Sequence, residues 1–449
     1  MSATEQAQQE AAPLPQMHGG VVVPNSAEQL VAIMTSRRHF PAPIRPMGAN
    51  SSSTQCTTAV GGTVVDMAAF DEIVDITEQT VTCQAGVTLR ELADYLDERG
   101  MELAGALDLV NRTVGGAVAS GCFGPAHDGR SAFIASQAIS MRVVTPEGRL
   151  LTVNESRENL MNVFRVSFGT LGIIYEITFR IRPQQKFVLK QRKMDVETFA
   201  NAVTVLGNQP VGIKFFYLPF KSRVYTELRR AQTDDKPVRP LPWKLKDMGE
   251  TSVLPKICGT LGRIVPIPGL RYSLVDGLHD ISQSMLTNTL TEGGSYAAEH
   301  ISQSGSFNGP PLEYTTWCFP VNEIGLLLTA YKAFAADYYG ANKFRCDMPV
   351  VGFRLPQDRS ALLSPCFDQP MFALRFTSNP HPAWEDYVMD LADFAQRWGG
   401  VPLLNQSRCA ESAATNIAFG SRLDFFRKIR RQLDPDGRML NAFLSQYLN

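Results

Sequence analysis

Four short segments in the first half of the chain are rich in glycine and in small hydroxyl or amide side chains. They are residues 45–56 (RPMGANSSSTQC), 84–88 (QAGVT), 113–125 (TVGGAVASGCFGP) and 167–174 (SFGTLGII). The hydrophobic pattern predicts strands or helices on both sides of each segment. Glycine lets backbone N–H groups approach an anion closely, and serine and threonine hydroxyls add adjustable donors. A fold that turns several such segments towards one ligand would suit a pyrophosphate.

Ordinary turn chemistry explains any one of these segments equally well. Four of them between residues 45 and 174 are harder to attribute to turns alone. The chain contains neither G-x-G-x-x-G at a strand-to-helix turn nor G-x-x-x-x-G-K-[ST], which argues against a Rossmann or P-loop site. The predicted elements are short and mixed rather than regularly alternating, so we expect an α+β fold.

Bulk composition restricts the class of protein. The chain has 449 residues, enough for two or three domains, and a net charge of −1, which removes the electrostatic case for a nucleic-acid partner. Its eight cysteines are scattered without a C-x-x-C pair, which predicts reduced core thiols and no metal site. No signal peptide and no integral membrane segment is predicted, so we expect a cytoplasmic protein.

Residues 231–270 form a stretch that bears proline, lysine and arginine and has no clean periodicity. One interpretation is a segment that lies on a membrane surface. Its polar face is not consistently basic, so a substrate lid or a long loop of a cap domain is favoured instead.

The same glycine-bearing segments resemble the FAD-binding domain of the vanillyl-alcohol oxidase / p-cresol methylhydroxylase flavoproteins. The similar stretches are RPMGANSSS, TVTCQAGVTLRELADYL, TVGGAVASGCFG and VSFGTLGIIYEITFRIRP. The second half resembles the aldonolactone and alditol oxidase branch in LEYTTWCFPVNEI, VGFRLPQDRSALLSPC, YVMDLADFAQRWGGVPLLNQSRC and RRQLDPDGRMLNAFL. The resemblance covers roughly residues 20–449.

The resemblance implies a two-subdomain FAD-binding domain and a cap domain with a large antiparallel sheet flanked by helices. The expected boundaries are a disordered tail at 1–18, the FAD-binding domain at 19–187, the substrate or cap domain at 188–404, and a C-terminal segment at 405–449 that returns to the FAD site. The implied cofactor-binding residues are Gly48, Ala49, Asn50, Ser51, Ser52, Ser53, Gly86, Thr113, Gly115, Gly116, Ser120, Gly121, Gly124, Gly172, Ile173 and Asn441.

Two departures from the family pattern concern the attachment of the flavin. Many relatives carry a histidine in the first loop that is bonded covalently to FAD, and Ser51 stands at that position. Serine cannot make that bond, so we expect non-covalent FAD. Phe123 replaces a second familiar histidine, and His127 lies four residues further on, where a surface or core role is expected.

On the substrate side, the resemblance implies a glutamate, an arginine, a histidine and a lysine on cap strands. Arg354 matches the arginine, whereas Gly352, Arg375 and Gln406 replace the other three, with Leu403 and Leu404 beside them. Arg354 and Arg375 could bind a carboxylate, a phenolate or the charge of reduced flavin. An ion pair with Glu313 or Asp358 is the alternative for both. Candidates for the proton acceptor are Tyr314, Glu313 and the acidity of the substrate itself.

Three functional hypotheses follow. The first is a non-covalent FAD oxidoreductase that takes hydride from a CH–OH carbon of a small molecule, apolar or anionic, with O₂ or an electron carrier as acceptor. The second is a flavin-dependent tailoring oxidase of secondary metabolism that closes a ring or desaturates a bond. The third is a flavin- or ligand-binding protein that keeps the fold without the chemistry.

Overall fold

The computed structural model describes residues 14–103, 111–124, 133–206, 209–231, 249, 253–290, 295–297 and 312–449. His127 and most of the expected tail at 1–18 lie outside the described residues, as do 232–248 and 250–252 of the stretch at 231–270.

The first sheet carries the amino end of the described chain. Its four strands lie in the order β1 (Met17–His18), β2 (Val21–Val22), β4 (Thr63–Asp66), β3 (Ile44–Met47). β4 is parallel to both β2 and β3, and helix α1 (Ala27–Thr35) makes the crossover between β2 and β3. Ser26 caps α1 by accepting a hydrogen bond from the Gln29 amide, as its position before the apolar run predicts.

The second sheet is antiparallel and is built around one long strand. Its members are β5 (Ile73–Ile76), β6 (Thr80–Gln84), β7 (Met101–Leu103), β8 (Ala138–Val144), β9 (Leu150–Asn154) and β10 (Ile173–Pro183). Its helices are α2 (Leu89–Asp97), α3 (Val114–Ser120) and α4 (Glu158–Phe164). Thr88 and Glu91 form a complete capping box on α2, because each side chain bonds the other residue's backbone N–H.

A third, eight-stranded antiparallel sheet dominates the second half. Its order is β14 (Ser295–Ala297), β11 (Lys186–Met194), β13 (Arg223–Ala231), β12 (Gly212–Leu218), β16 (Val350–Leu355), β17 (Met371–Ser378), β15 (Glu313–Pro320) and β18 (Val401–Pro402). The accompanying helices are α5 (Val196–Leu206), α6 (Leu254–Ile264), α7 (Pro268–Leu290), α8 (Ile324–Asn342) and α9 (Trp384–Arg397).

The two faces of this eight-stranded sheet, here called the cap sheet, have different neighbours. Directly paired residues of an antiparallel sheet lie on one face, so the pairs Phe353–Ala373 and Ala373–Cys318 define the first face. That face packs on Phe123 and Phe133 of the first domain. Residues of alternate parity, such as Phe372, lie on the second face, in the core with the helices.

The last helices, α10 (Ser412–Phe419), α11 (Ser421–Leu433) and α12 (Ala442–Leu448), bring the chain back to the first sheet. The Ile44 amide donates to the carbonyl oxygen of Arg438 at 2.7 Å, and the Arg438 guanidinium donates to the carbonyl oxygens of Met34 and Phe40. The end of the chain is therefore held beside the start of β3 and the segment that precedes it.

The predicted fold class is confirmed: two sheets with short helices precede a large antiparallel sheet flanked by helices. The expectation of an irregular lid at 231–270 is wrong for its described part from 253 onwards, which forms α6 and the start of α7. Within the part of the chain that the structure describes, no helix is long and apolar enough to cross a membrane.

Candidate cofactor and substrate site

A long cleft lies between the first two sheets and reaches the cap sheet. Its walls enclose about 820 Å³, open solvent included. Ten of the predicted cofactor residues line it: Gly48, Ala49, Asn50, Ser51, Ser52, Thr113, Gly115, Gly116, Ser120 and Gly172. Three of the four glycine-bearing turns contribute to this set, so folding brings segments distant in sequence to one surface. Their contact with a cofactor stays a prediction.

The loop that follows β3, residues 48–53 and here called the amide loop, presents backbone donors to the cleft. Within the described structure, the N–H groups of Ala49, Asn50, Ser51 and Ser52 donate to no other group. Asn50 adopts φ +48, in the left-handed region that asparagine tolerates better than most residues. Consecutive amides that lack an internal partner form the kind of concavity that binds an anion.

Gly48 is required by the closeness of the amide loop to the turn before α3. A Cβ atom at Gly48 would lie 2.0 Å from the Oγ1 atom of Thr113. Thr113 is held in place because it caps α3, accepting a hydrogen bond from the Gly116 amide at 3.3 Å. A side chain at 48 would therefore push apart the two loops that form this part of the cleft.

Arg45 lies in β3, just before the amide loop, and holds the segments around it together. It was not among the predicted residues. Its side chain is 1% exposed, and burial lowers the pKa of its guanidinium to about 10. It donates hydrogen bonds to the carbonyl oxygens of Cys56, Gly169, Met439 and Phe168. One cation thus joins three separate segments around the cleft by bonds to backbone carbonyl groups.

Six predicted cofactor residues do not line the cleft, and several of them have a structural role. Ile173 lies in the core, a Cβ at Gly86 would meet the Met67 carbonyl oxygen at 2.2 Å, and Gly121 ends α3 at φ +69. Gly124 and Ser53 also lie outside the lining set. Asn441 caps α12 and donates to the carbonyl oxygens of Gln55 and Thr58, so it fixes the segment that follows the amide loop.

The turn at residues 403–407, here called the carboxamide turn, is attached to the amide loop. The Ser53 amide donates to the Asn405 carbonyl oxygen at 3.1 Å, and its hydroxyl donates to that of Gln406 at 2.9 Å. Asn405 lines the cleft, and its Oδ1 atom has no hydrogen-bond partner among the described residues. Buried polar atoms are rarely left unpaired, so a polar group of a ligand would complete this site.

Three of the four predicted catalytic residues lie near the amide loop: Tyr314 and Arg375 on the cap sheet, and Gln406 on the carboxamide turn. The Tyr314 hydroxyl donates to the Ser51 carbonyl oxygen at 2.7 Å, and Thr316 donates to the Oε1 atom of Gln406 at 3.0 Å. The Arg375 guanidinium lies 5.7 Å from the Tyr314 ring centre and 5.2 Å from that of Phe353. Tyr314, Arg375 and Gln406 are therefore close together where the cap meets the amide loop.

Arg354 does not lie with this group, and its predicted role at the substrate stays a prediction. It pairs with Phe372 on the second face of the cap sheet, and its guanidinium donates to the carbonyl oxygens of Leu206 and Val211. The resemblance aligned Gly352 and Arg354 with residues that face substrate. The side-chain direction alternates along a strand, so Val351 and Phe353 lie on the first face, which packs on Phe123 and Phe133.

Glu313, one candidate for the proton acceptor, also lies on the second face, next to Tyr314 in β15 but pointing the other way. Burial raises the pKa of its carboxyl group.

Among the described residues, no group of three or more His, Cys, Asp or Glu side chains could hold a metal ion.

Sequence reasoning missed several residues that line the cleft. They are Arg45, Pro46, Met47, Cys56, Thr57, Met67, Arg112, Ala119, Phe168, Gly169 and Ile174. Most of them are apolar or lie next to a predicted turn, so their sequence does not mark them as site residues. Arg45 is the exception, because a charged residue within a strand is unusual and could have been noticed.

The first part of the chain matches a family model for an FAD binding domain over residues 19–154. L-galactono-1,4-lactone dehydrogenase 1 of Oryza sativa, whose name places it in mitochondria, is 29% identical over 191 residues, which cover 40% of this chain and 31% of that protein. L-gulonolactone oxidase 2 of Arabidopsis thaliana is 26% identical over 217 residues, covering 45% and 36%. The chain thus spans about a third of the length of these relatives.

The fold has a close counterpart among solved structures. A single-site variant of cholesterol oxidase from Brevibacterium sterolicum superposes with a TM-score of 0.74 at 14% identity, over 96% of this chain and 94% of that one. These comparisons confirm the resemblance to flavoproteins of this fold and to aldonolactone oxidases. The expected cytoplasmic location stays a prediction.

Proposed function

We propose that this chain, with an FAD-binding domain in the fold of the vanillyl-alcohol oxidase type, is an FAD-dependent oxidoreductase that removes hydride from a CH–OH carbon of a small molecule. The observation that carries the proposal is the direct contact between the amide loop and the cap-sheet face that holds Tyr314 and Arg375. The amide loop would hold a dinucleotide, and Tyr314 and Arg375 would lie next to that loop.

The residues of the cleft fit FAD. The partnerless amides of residues 49–52 suit the negatively charged diphosphate, and the absence of a side chain at Gly48 and Gly115 lets these backbones pack directly against Thr113 and Ala85 in the cleft wall. Thr113, Gly116, Ser120 and Gly172 would line the rest of the cofactor. When bound, FAD supplies an isoalloxazine ring that accepts hydride.

We assign the cofactor to non-covalent binding. Ser51, at the position of the family's attached histidine, lines the cleft and uses its carbonyl oxygen to accept the Tyr314 hydrogen bond. Cys56 also lines the cleft, and burial raises the pKa of its thiol, which keeps it in the protonated and less nucleophilic form.

The substrate end combines few polar groups with an apolar wall. Arg375 and the carboxamide of Gln406 are the polar groups, and Phe353, Phe123 and Leu403 pack together beside them. A site with this lining favours a substrate that is larger and less hydroxylated than a sugar and that carries one anionic or carbonyl group for Arg375.

Tyr314 positions the substrate in this proposal and does not remove its proton. Its hydroxyl proton is donated to the Ser51 carbonyl oxygen, so the side chain is oriented by that bond. A positioned base contributes roughly 10²–10⁴-fold to the rate, and a substrate with an acidic hydroxyl would need less of that help. The acceptor of the electrons is O₂ or an electron carrier.

The apolar wall also supports a second candidate, a tailoring oxidase that closes a ring or desaturates a bond. Anaerobic mixing of the purified protein with sugar lactones, polyols, aryl alcohols and polyketide- or peptide-like alcohols tests both. Bleaching of the flavin absorbance by an apolar alcohol supports the first, and bleaching with a cyclised or desaturated product supports the second. Full FAD occupancy without bleaching by any compound would favour a binding protein.

A further inference from the structure

Helices α6 and α7 form a hairpin whose tip projects apolar side chains into solvent. At the tip the exposed fractions are 69% for Ile264, 62% for Ile267, 53% for Leu270 and 43% for Leu274. Scattered apolar residues are normal on a surface, but four large ones within eleven positions at one turn form a continuous patch. Pro266 and Pro268 flank Ile267 and restrict the backbone there.

The part of the hairpin around the tip, residues 253–275, carries charge of one sign. Residues 253–275 contain Lys256, Arg263 and Arg271 and no Asp or Glu, so three positive charges minus none gives +3. None of these three cations forms an ion pair within the described structure. The nearest acidic residues along α7 are already paired: Asp276 with Arg345 at 2.7 Å, and Asp280 with Arg223 at 2.5 Å.

The same three cations line a recess beside the tip. Lys256, Arg263 and Arg271 line it with His381, Asn379 and Asp347. The Asp347 carboxylate accepts hydrogen bonds from the Asn379 amide and side chain and from Ser378, so its charge is satisfied locally. The Oδ1 atom of Asn379 is buried and has no partner among the described residues.

The base of the hairpin is rigid. The Arg345 guanidinium donates to Asp276 and to the Tyr272 carbonyl oxygen, and it lies 3.7 Å from the ring centre of Phe220. These contacts fix the base of the hairpin, and the apolar side chains at its tip stay exposed.

We propose that the α6–α7 hairpin docks the protein on the surface of a membrane that contains anionic lipid. Ile264, Ile267, Leu270 and Leu274 would enter the boundary of the acyl chains, while Lys256, Arg263 and Arg271 contact the headgroups. Charge decides against a second copy of this chain as the occupant, because a symmetric contact would bring two +3 surfaces together. The inference does not depend on the reaction that the enzyme catalyses.

Vesicle co-sedimentation of the full-length protein tests this inference. Binding is expected to vesicles of phosphatidylcholine mixed with phosphatidylglycerol, to weaken with added salt, and to be far lower for phosphatidylcholine alone. Each cation is worth a factor of about five in partition, so Lys256→Gln/Arg263→Gln/Arg271→Gln is expected to bind about a hundredfold more weakly. Ile264→Ser/Ile267→Ser/Leu270→Ser is expected to abolish binding at every salt concentration.

The matched control carries Ile417→Ser, Lys428→Gln and Arg431→Gln, exposed residues of α10 and α11, and should bind like the unchanged protein. FAD content and thermal unfolding of every variant report the fold. The charge variant keeps the test valid even if the apolar variant unfolds.

Absence of vesicle binding overturns the proposal, as does equal binding of all variants. Concentration-dependent dimerisation, or capture of an acidic protein, without vesicle binding would overturn it in favour of that partner.

Discussion

The hydroxyl group of Tyr314 donates a hydrogen bond to the backbone carbonyl oxygen of Ser51, and the two oxygen atoms are 2.7 Å apart. Tyr314 belongs to the cap sheet, and Ser51 to the loop whose amides face the cleft. This bond joins the part of the cap sheet that we propose binds substrate to the amide loop that we propose binds the diphosphate. The position of one is therefore coupled to the position of the other.

Tyr314→Phe removes that bond and keeps the ring that packs on Arg375. A single hydrogen bond contributes about 0.5–1.5 kcal/mol, so FAD is expected to bind roughly 2- to 12-fold more weakly. Titration of flavin-free protein with FAD, followed by flavin fluorescence, measures this change. Tyr95→Phe makes the same chemical change on α2, outside the cleft, and should leave the affinity unaltered; equal weakening in both variants would separate Tyr314 from the cofactor site.

Gly48→Ala tests the close approach of the amide loop and the turn at Thr113. The added Cβ would lie 2.0 Å from the Thr113 Oγ1 atom, so one of the two loops has to move. Overpacking of this kind costs about 1–3 kcal/mol, and FAD occupancy after purification is expected to fall with it. Gly277→Ala, on α7 with no atom within 4 Å of the new Cβ, is the control and should be neutral or stabilising.

Arg375 and Arg354 form a matched pair of tests because they lie on opposite faces of the same sheet. Arg375→Met removes a cation from the cleft side and is expected to slow flavin reduction by roughly 10²–10³-fold at unchanged FAD occupancy. Arg354→Met is expected to lower stability while leaving that rate within a few-fold. Stopped-flow reduction, with a substrate found in the anaerobic screen, measures both. The opposite pattern would restore Arg354 to the site.

Non-covalent attachment gives a prediction that needs no substrate. Acid precipitation is expected to release the flavin into the supernatant, because Ser51 cannot form the bond that a histidine makes and the raised pKa of Cys56 keeps that thiol protonated. Absorbance of supernatant and pellet measures the partition. Yellow colour that remains in the pellet, also after denaturation in urea, would show a covalent link.

The sequence predicted the fold class and the segments of the cleft because glycine and small hydroxyl side chains leave a local signal. Capping residues such as Thr88 and Thr113 act within a few positions of themselves. Asn441 was placed at the cofactor by resemblance, whereas the structure shows a helix cap that also braces residues 55–58.

Other features depend on contacts that local patterns do not encode. Arg45 bonds carbonyl oxygens more than a hundred residues away, and its place within a strand marks it as unusual without showing these partners. The resemblance did not give the sheet face of Arg354, since an alignment shifted by one residue moves every side chain of a strand to the other face. Only the sheet pairing and packing show that Phe353 lies on the face that contacts Phe123 and Phe133.

The absorption spectrum of the purified full-length protein tests the central claim most directly, which is that the amides of residues 49–52 hold the diphosphate of FAD. The account predicts an oxidised-flavin spectrum at about one FAD per chain, and loss of most of that absorbance in Gly48→Ala but not in Gly277→Ala. A colourless protein that takes up no added FAD, or full flavin retention in Gly48→Ala, would contradict it.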